Sequence, residues 1–285
     1  MSLPEIEALA REQAEYWDGE AGQKWADEHQ RLDSLLRPLG LAAIDQLAPA
    51  PGEAVIDLGC GFGATALELG RRVTATGRVL GIDLSGPQLA VARESARAAQ
   101  LDHVCFEHAD VSTYDFAGSR HHAAFSRFGV MFFADPVAAF STVRGALEPG
   151  GRLAFVCWQG IQHNEWVSVP LAATLPYLPP PTPPAPGAPG PFSLADPERI
   201  RDLLGRAGFR EISVEAHAQT IRMGADAADA ADWMTRMGPT ARLLADVDDD
   251  TRRTVRAAIA AVLSDRQNDN GIVLDASTWI VRALA

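Results

Sequence analysis

Between residues 54 and 158 the chain alternates short apolar runs with amphipathic stretches, and this rhythm restricts the fold more than any other feature. AVIDL (54–58), RVLGIDL (78–84), HVCFEHAD (103–110), HAAFSRFG (122–129) and RLAFVCW (152–158) read as strands. ATALELGRRV (64–73) and PQLAVARESARAAQ (87–100) read as helices between them, the second opened by a capping box of Ser85 and Gln88. A third helix starts where Asp135 caps and Pro136 takes the first position. Strands separated by helices mean βαβ units and a parallel sheet.

The flanks are different. Residues 4–16 and about 31–47 read as helices on either side of the Trp/Gly-rich YWDGEAGQKWADEHQ, and Pro49, Pro51 and Gly52 then break the chain. After Trp158 the rhythm stops. Residues 176–191 hold nine prolines, a run that favours polyproline II and cannot enter a sheet or helix interior. A helix resumes at Asp196-Pro197 and ends by Gly208, EISVEAHAQTI (211–221) is a strand, helices follow at about 225–237 and 249–264, and STWIVRAL (277–284) is the last strand. The expected organisation is N-terminal helices (1–48), a binding core (49–160), a proline-rich cap insertion (161–195), a core helix and strand (196–224), a helical cap (225–270) and a final core strand (271–285).

Composition narrows the function. Twenty-five basic against 37 acidic residues give a net charge of −12, with no Lys/Arg-rich run, which argues against a nucleic-acid partner. Lys24 is the sole lysine, so Schiff-base chemistry through a buried lysine is excluded. Cys60, Cys105 and Cys157 are too far apart for a zinc site or a redox pair and suit a reducing cytoplasm; no metal is expected. The N-terminus lacks a signal-peptide core, and no apolar stretch reaches the roughly 18 residues needed to span a bilayer, so no membrane role is expected.

The strongest local signal is Asp57-Leu58-Gly59-Cys60-Gly61-Phe62-Gly63-Ala64, which follows a strand and opens a helix. Glycines there let the chain turn tightly and a ligand approach the helix amides. Asp57 would repel a diphosphate, so an amino-bearing or cationic ligand fits better. Asp83 ends the second strand, where a carboxylate accepts ribose hydroxyls of NAD or of another nucleoside cofactor. Asp110 ends the third, where a side chain can accept from an adenine amino group. Each alone reads equally well as a loop cap. Three carboxylates on the ligand-binding edge of one sheet do not.

VIDLGCGFGATALELG, VLGIDLSGPQLAVA, FEHADV and LEPGGRLAFVCW together resemble the successive motifs of class I S-adenosylmethionine-dependent methyltransferases over about 55–158, in order and spacing. The wider chain is similar to the UbiE-like bacterial small-molecule group, SRFGVMFFADPVAAF (126–140) most specifically. The resemblance implies a Rossmann-like, doubly wound, seven-stranded α/β sheet, mostly parallel with an antiparallel last strand, under a helical and proline-rich cap. It implies S-adenosylmethionine as cofactor and S-adenosylhomocysteine as product. Asp57, Gly59, Gly61 and Gly63 would hold the methionine end and Asp83 the ribose. Leu84 would pack on the adenine, with Asp110 and the Val111 backbone at its amino group. Ser126 would offer its carbonyl to the ammonium, and Tyr16 and Trp25 would close over the cofactor, their other reading being helix packing. His121-His122 stands where many relatives carry an aspartate, at the end opposite the cofactor edge.

An activated sulfonium needs approach and orientation more than acid–base help. His163, past the fifth strand, is the candidate base, with an exposed loop histidine as its other reading. His108 shares Asp110's face of its strand. Arg127 could bind an acidic acceptor, the methionine carboxylate, or an acidic side chain of the cap. Phe128, Met131, Phe132, Phe133 and Trp158 could wall an apolar pocket or pack the core. The expected function is methyl transfer to a small apolar or aromatic metabolite by a monomer or homodimer. The alternatives are a binder of the same cofactor without transfer and, less favoured, a nicotinamide-dependent dehydrogenase.

Overall fold

Strand β1 (Ala54–Leu58) is buried along its whole length, as a parallel strand covered on both faces must be. It pairs in parallel with β2 (Arg78–Asp83) on one side and β4 (His121–Arg127) on the other. Strand β3 (Val104–His108) adds to β2, and β5 (Leu147–Trp158) to β4, again in parallel. Including β6 (Arg210–Gly224) and β8 (Gly271–Leu284), the sheet order is β3-β2-β1-β4-β5-β8-β6. It is a mixed α/β sheet, mostly parallel with antiparallel last strands. The computed structural model describes residues 2–185 and 187–285; Met1, and Pro186 within the proline-rich run, lie outside the described residues.

Among the described residues the sheet has eight strands rather than the expected seven. The addition is β7 (Gln267–Asn268), which hairpins onto β8 with Asn268 opposite Gly271. Gly271 is left-handed at φ 88°, the conformation the Asn-Asp-Asn-Gly turn requires. β5 starts five residues earlier than RLAFVCW: Leu147 pairs with His121 and Arg152 with Ala123, so the Pro149-Gly150-Gly151 turn is an irregularity within the strand.

Eleven helices are present among the described residues. The first three are α1 (Leu3–Asp18), α2 (Glu20–Asp27) and α3 (His29–Leu47). Helix α2 forms within the Trp/Gly-rich stretch, where no helix is expected from sequence; Gly19 separates it from α1. Next come α4 (Ala64–Val73), α5 (Gly86–Ala98) and α6 (Pro136–Ala146). The α5 cap is half a box: Ser85 Oγ accepts from Gln88 N at 3.4 Å, while Ser85's own N–H donates to Asp83 at 2.9 Å. Asp135 caps α6 through Ala138 N at 3.0 Å. Helix α7 (Glu165–Thr174) lies in the segment read only as proline-rich. The rest are α8 (Pro197–Arg206), α9 (Ala227–Arg236), α10 (Gly238–Leu243) and α11 (Asp249–Ser264), the last capped by Asp248 on Thr251 N at 2.8 Å.

The chain divides into two units. One comprises residues 2–158, 188–216 and 279–285; the other 159–187 and 217–278. Residues 188–195 fall in the first unit, and 217–224 of β6 and 271–278 of β8 in the second. The first unit's core includes Phe125, Phe140 and Phe155, each at most 1% exposed, with Phe140 stacked on Phe155 at 5.7 Å. The second packs α11 against α7 and α9 around Val255, Ile259 and Leu263.

Candidate active site

The C-terminal ends of β1, β2 and β4, with the chain just past β3, open into one pocket, lined wholly by residues of the first unit. Leaving β1, Gly59 turns left-handed at φ 62°. A Cβ there would stand 2.8 Å from Gly129 Cα, so only glycine lets this loop pass the chain that follows β4. Gly61, at φ 52°, donates its N–H to Asp83 Oδ2 at 2.7 Å. Ser85 N donates to Asp83 Oδ1 at 2.9 Å. The Asp83 carboxylate therefore braces the glycine loop and still faces the pocket. Burial pushes its pKa up against those backbone donors. Asp110, Leu84 and Val111 also line the pocket. Asp110 Oδ1 accepts from Ser112 N and Oγ, both at 2.8 Å, so it caps its loop as well as facing the cavity.

Asp57, near the end of β1, is fully buried and is not among the residues that line the pocket. Thr65 Oγ1 donates to its Oδ2 at 2.7 Å, and its Oδ1 has no partner. Burial pushes this carboxyl up to about 7, opposed by the Thr65 bond and by Arg127.

The lining also carries six aromatic side chains: Trp17, Trp25, Phe62, Phe128, Phe132 and Phe133. Trp17 meets Trp25 edge-on at 5.5 Å and Phe132 at 5.0 Å. The wall takes Trp17 where the sequence reading placed Tyr16, which is 38% exposed and packs on Trp17 at 5.1 Å. Ala10, Gln13 and Trp17 sit three, four and seven apart on one face of α1, a periodicity that would have found them. Leu36 and Thr65 also line the pocket and carry no motif, and Gln88, read only as part of a helix cap, lines it too. Asp18 fastens the end of α1 by accepting from Gly86 N at 2.8 Å.

Several candidates stand elsewhere. Gly63 is the left-handed cap of α4 and is not in the wall. Ser126 is buried; its hydroxyl donates to Leu58 O at 2.7 Å and accepts from Gly129 N at 3.2 Å, joining the ends of β1 and β4. Met131 is buried beneath the wall, and Trp158 stacks behind Phe128 at 4.2 Å. His108 is exposed, with Nε2 donating to Leu84 O at 2.8 Å. His163 is exposed in a 3₁₀ turn of the second unit and is not among the lining residues. Arg127 does line the pocket, and its partner is Asp33 of α3 at 2.8 Å rather than an acidic residue of the expected cap.

Comparison with known proteins agrees with this geometry. A family model described as a methyltransferase domain matches residues 55–151. Aklanonic acid methyltransferase DauC of Streptomyces sp. (strain C5) is 32% identical over 143 residues, which cover 50% of this chain and 60% of that protein. An uncharacterized methyltransferase of Mycobacterium bovis is 30% identical over 138 residues, 46% of this chain and 67% of its own. The chain spans about half the length of other curated relatives, 49% and 50% in two of them. Among solved structures, the YcgJ protein of Bacillus subtilis superposes with a TM-score of 0.57 at 16% identity, covering 87% of this chain and 98% of that one. Phosphoethanolamine N-methyltransferase 2 of Haemonchus contortus, solved with S-adenosylhomocysteine, gives 0.52 at 18% identity, covering 87% of this chain and 52% of that one. Those structural likenesses establish the fold, and the sequence matches establish descent: the chain belongs to the class I methyltransferases, whose cofactor is S-adenosylmethionine.

Proposed function

We propose that this protein transfers a methyl group from S-adenosylmethionine to a small apolar or aromatic acceptor. One observation carries the reading: a single pocket is lined by Gly59, Gly61, Asp83 and Asp110 together with six aromatic side chains. The residues present fit the cofactor. Asp57 Oδ1 is buried with no partner, as a carboxylate awaiting a cationic group would be. Gly61 is left-handed at φ 52°, a conformation that favours glycine and leaves the loop surface without a side chain there. Asp83 and Asp110 are the residues to hold the ribose hydroxyls and the adenine amino group, with Leu84 and Val111 beside the base. Trp17 and Trp25 are the residues to close over it.

Bound S-adenosylmethionine supplies a methyl group already activated by its sulfonium. The chain's task is to bring the acceptor in line with that methyl and to exclude water. Positioning of this kind is worth roughly 7–11 kcal/mol. Phe62, Phe128 and Phe132 offer flat apolar surfaces to an aromatic acceptor. The described wall includes no histidine, so the reading assigns the acceleration to approach rather than to a side-chain base. An aromatic acceptor is supported by a relative named for a 2-phytyl-1,4-naphthoquinone.

Calorimetry with S-adenosylhomocysteine and NAD tests the cofactor, and labelled methyl donor offered with metabolite extract tests the transfer. NAD binding without S-adenosylhomocysteine binding would overturn the reading. Cofactor binding with no labelled product would make the protein a binder without transfer.

A further inference from the structure

Arg127 closes a chain of ion pairs that runs from the surface into the pocket. Asp45 meets Arg72 Nη1 at 2.6 Å, and Arg72 Nε meets Glu68 at 3.1 Å. Glu68 is shared with Arg71 at 3.7 Å and Arg37 at 3.6 Å. Arg37 meets Asp33 Oδ2 at 3.6 Å, and Asp33 Oδ1 accepts from Arg127 Nη1 at 2.8 Å. Four guanidinium groups thus share three carboxylates, and the chain ends one negative charge short. Its pocket end is also its driest: the Arg127 side chain is 8% exposed, against 28% for Arg72 and more for the others.

The site around this guanidinium is built. A Cβ on Gly40 of α3 would stand 2.7 Å from Arg127 Cδ, so the bare helix surface makes room for the stem. The Phe62 ring lies 5.6 Å from the guanidinium carbon. Asp33 engages one nitrogen, and an arginine fork carries five N–H donors. The nearby Asp57 carboxyl, raised to about 7, is uncharged below that pH and does not supply the missing charge there. A buried cation with spare donors inside an apolar wall is stabilised by an anion in the cavity.

We propose that Arg127 recognises a carboxylate held inside the pocket. This rests on the reading of the pocket as the site of cofactor and acceptor. The carboxylate belongs either to the methionine end of the cofactor or to an acidic acceptor, and two pairs of probes separate these sources.

The wild type, Arg127→Gln and Arg127→Lys are titrated calorimetrically as the full chain. The first pair is S-adenosylhomocysteine and its decarboxylated analogue, which keeps the ammonium. The second is 2-naphthoate and 2-naphthamide, with and without saturating S-adenosylhomocysteine. The wild type is expected to favour the carboxylate over its neutral counterpart in one pair by roughly 10-fold or more, as for a charged hydrogen bond. Arg127→Gln should abolish that preference while the neutral probe binds as before, and Arg127→Lys should keep part of it. Preference lost in the first pair assigns the cofactor carboxylate; preference lost in the second assigns the acceptor. No preference in either wild-type pair, or a preference untouched by both variants, overturns the proposal. Should Arg127→Gln fail to fold, Arg127→Lys alone decides, a full wild-type preference in it being the contrary result. Failure of S-adenosylhomocysteine to bind the wild type would refute the cofactor reading separately, since the naphthoate pair without nucleoside still reads Arg127.

Discussion

Thr65 donates its hydroxyl to Oδ2 of Asp57 at 2.7 Å, while Oδ1 of the same buried carboxyl faces no donor. One hydrogen bond does not offset the desolvation of a carboxylate, so the group holds its proton until about pH 7. Between about pH 4 and 7 the native protein therefore binds a proton that the unfolded chain has lost. The stabilisation is complete below the unfolded value and declines as pH rises through the folded one. Urea midpoints of the ligand-free protein should fall from pH 4.5 to pH 7.5, and Asp57→Asn should flatten that slope. A cationic ligand favours the ionised carboxyl, so S-adenosylhomocysteine should bind the wild type more tightly across the same rise. A wild-type affinity profile identical to that of Asp57→Asn would contradict this.

Asp83 braces two backbone amides and faces the pocket. Its replacement by Ala should weaken S-adenosylhomocysteine binding by about 1–3 kcal/mol, and also loosen the glycine loop, because Gly61 N and Ser85 N lose a charged acceptor. Calorimetry reads the first effect and a lowered thermal midpoint the second. Unchanged affinity would reject Asp83 as a ligand contact.

Gly59→Ala should destabilise the fold by more than the roughly 1 kcal/mol expected for left-handed backbone alone. The added Cβ meets Gly129 Cα at 2.8 Å, and backbone cannot yield as a side chain can. Chemical denaturation measures this, and a loss well under 1 kcal/mol would show that the two loops move apart freely.

His163→Ala should retain both cofactor affinity and methyl transfer. The side chain is exposed and is not among the pocket's lining residues. A turnover assay with labelled donor, once an acceptor is found, decides the point; loss of turnover at unchanged affinity would restore His163 as a base.

The parallel core was legible because each of its parts is locally specified. AVIDL is apolar throughout, the following loop is rich in glycine, and Asp135-Pro136 marks a helix start without reference to distant residues. The three acidic strand ends were legible for the same reason, since position along a strand implies position on the sheet edge. Helix α2 was missed because it is short and Gly22 inside it and Gly19 before it disfavour a helix locally; Gly22 is buried there in packing that no window of sequence shows. Tyr16 and Trp17 differ by one residue, about 100° around a helix, and only the seating of α1 selects between them.

By itself, then, the sequence determined the order of elements, the glycine turn and the three carboxylates at the sheet edge, all of which depend on neighbours within a few residues. Tertiary structure decided the rest. It set Asp33 of α3 against Arg127 of β4, left Asp57 half-satisfied, and chose Trp17 over Tyr16 for the wall. Those outcomes depend on which helix face meets which strand end, and burial and charge pairing arise only once distant segments are packed together.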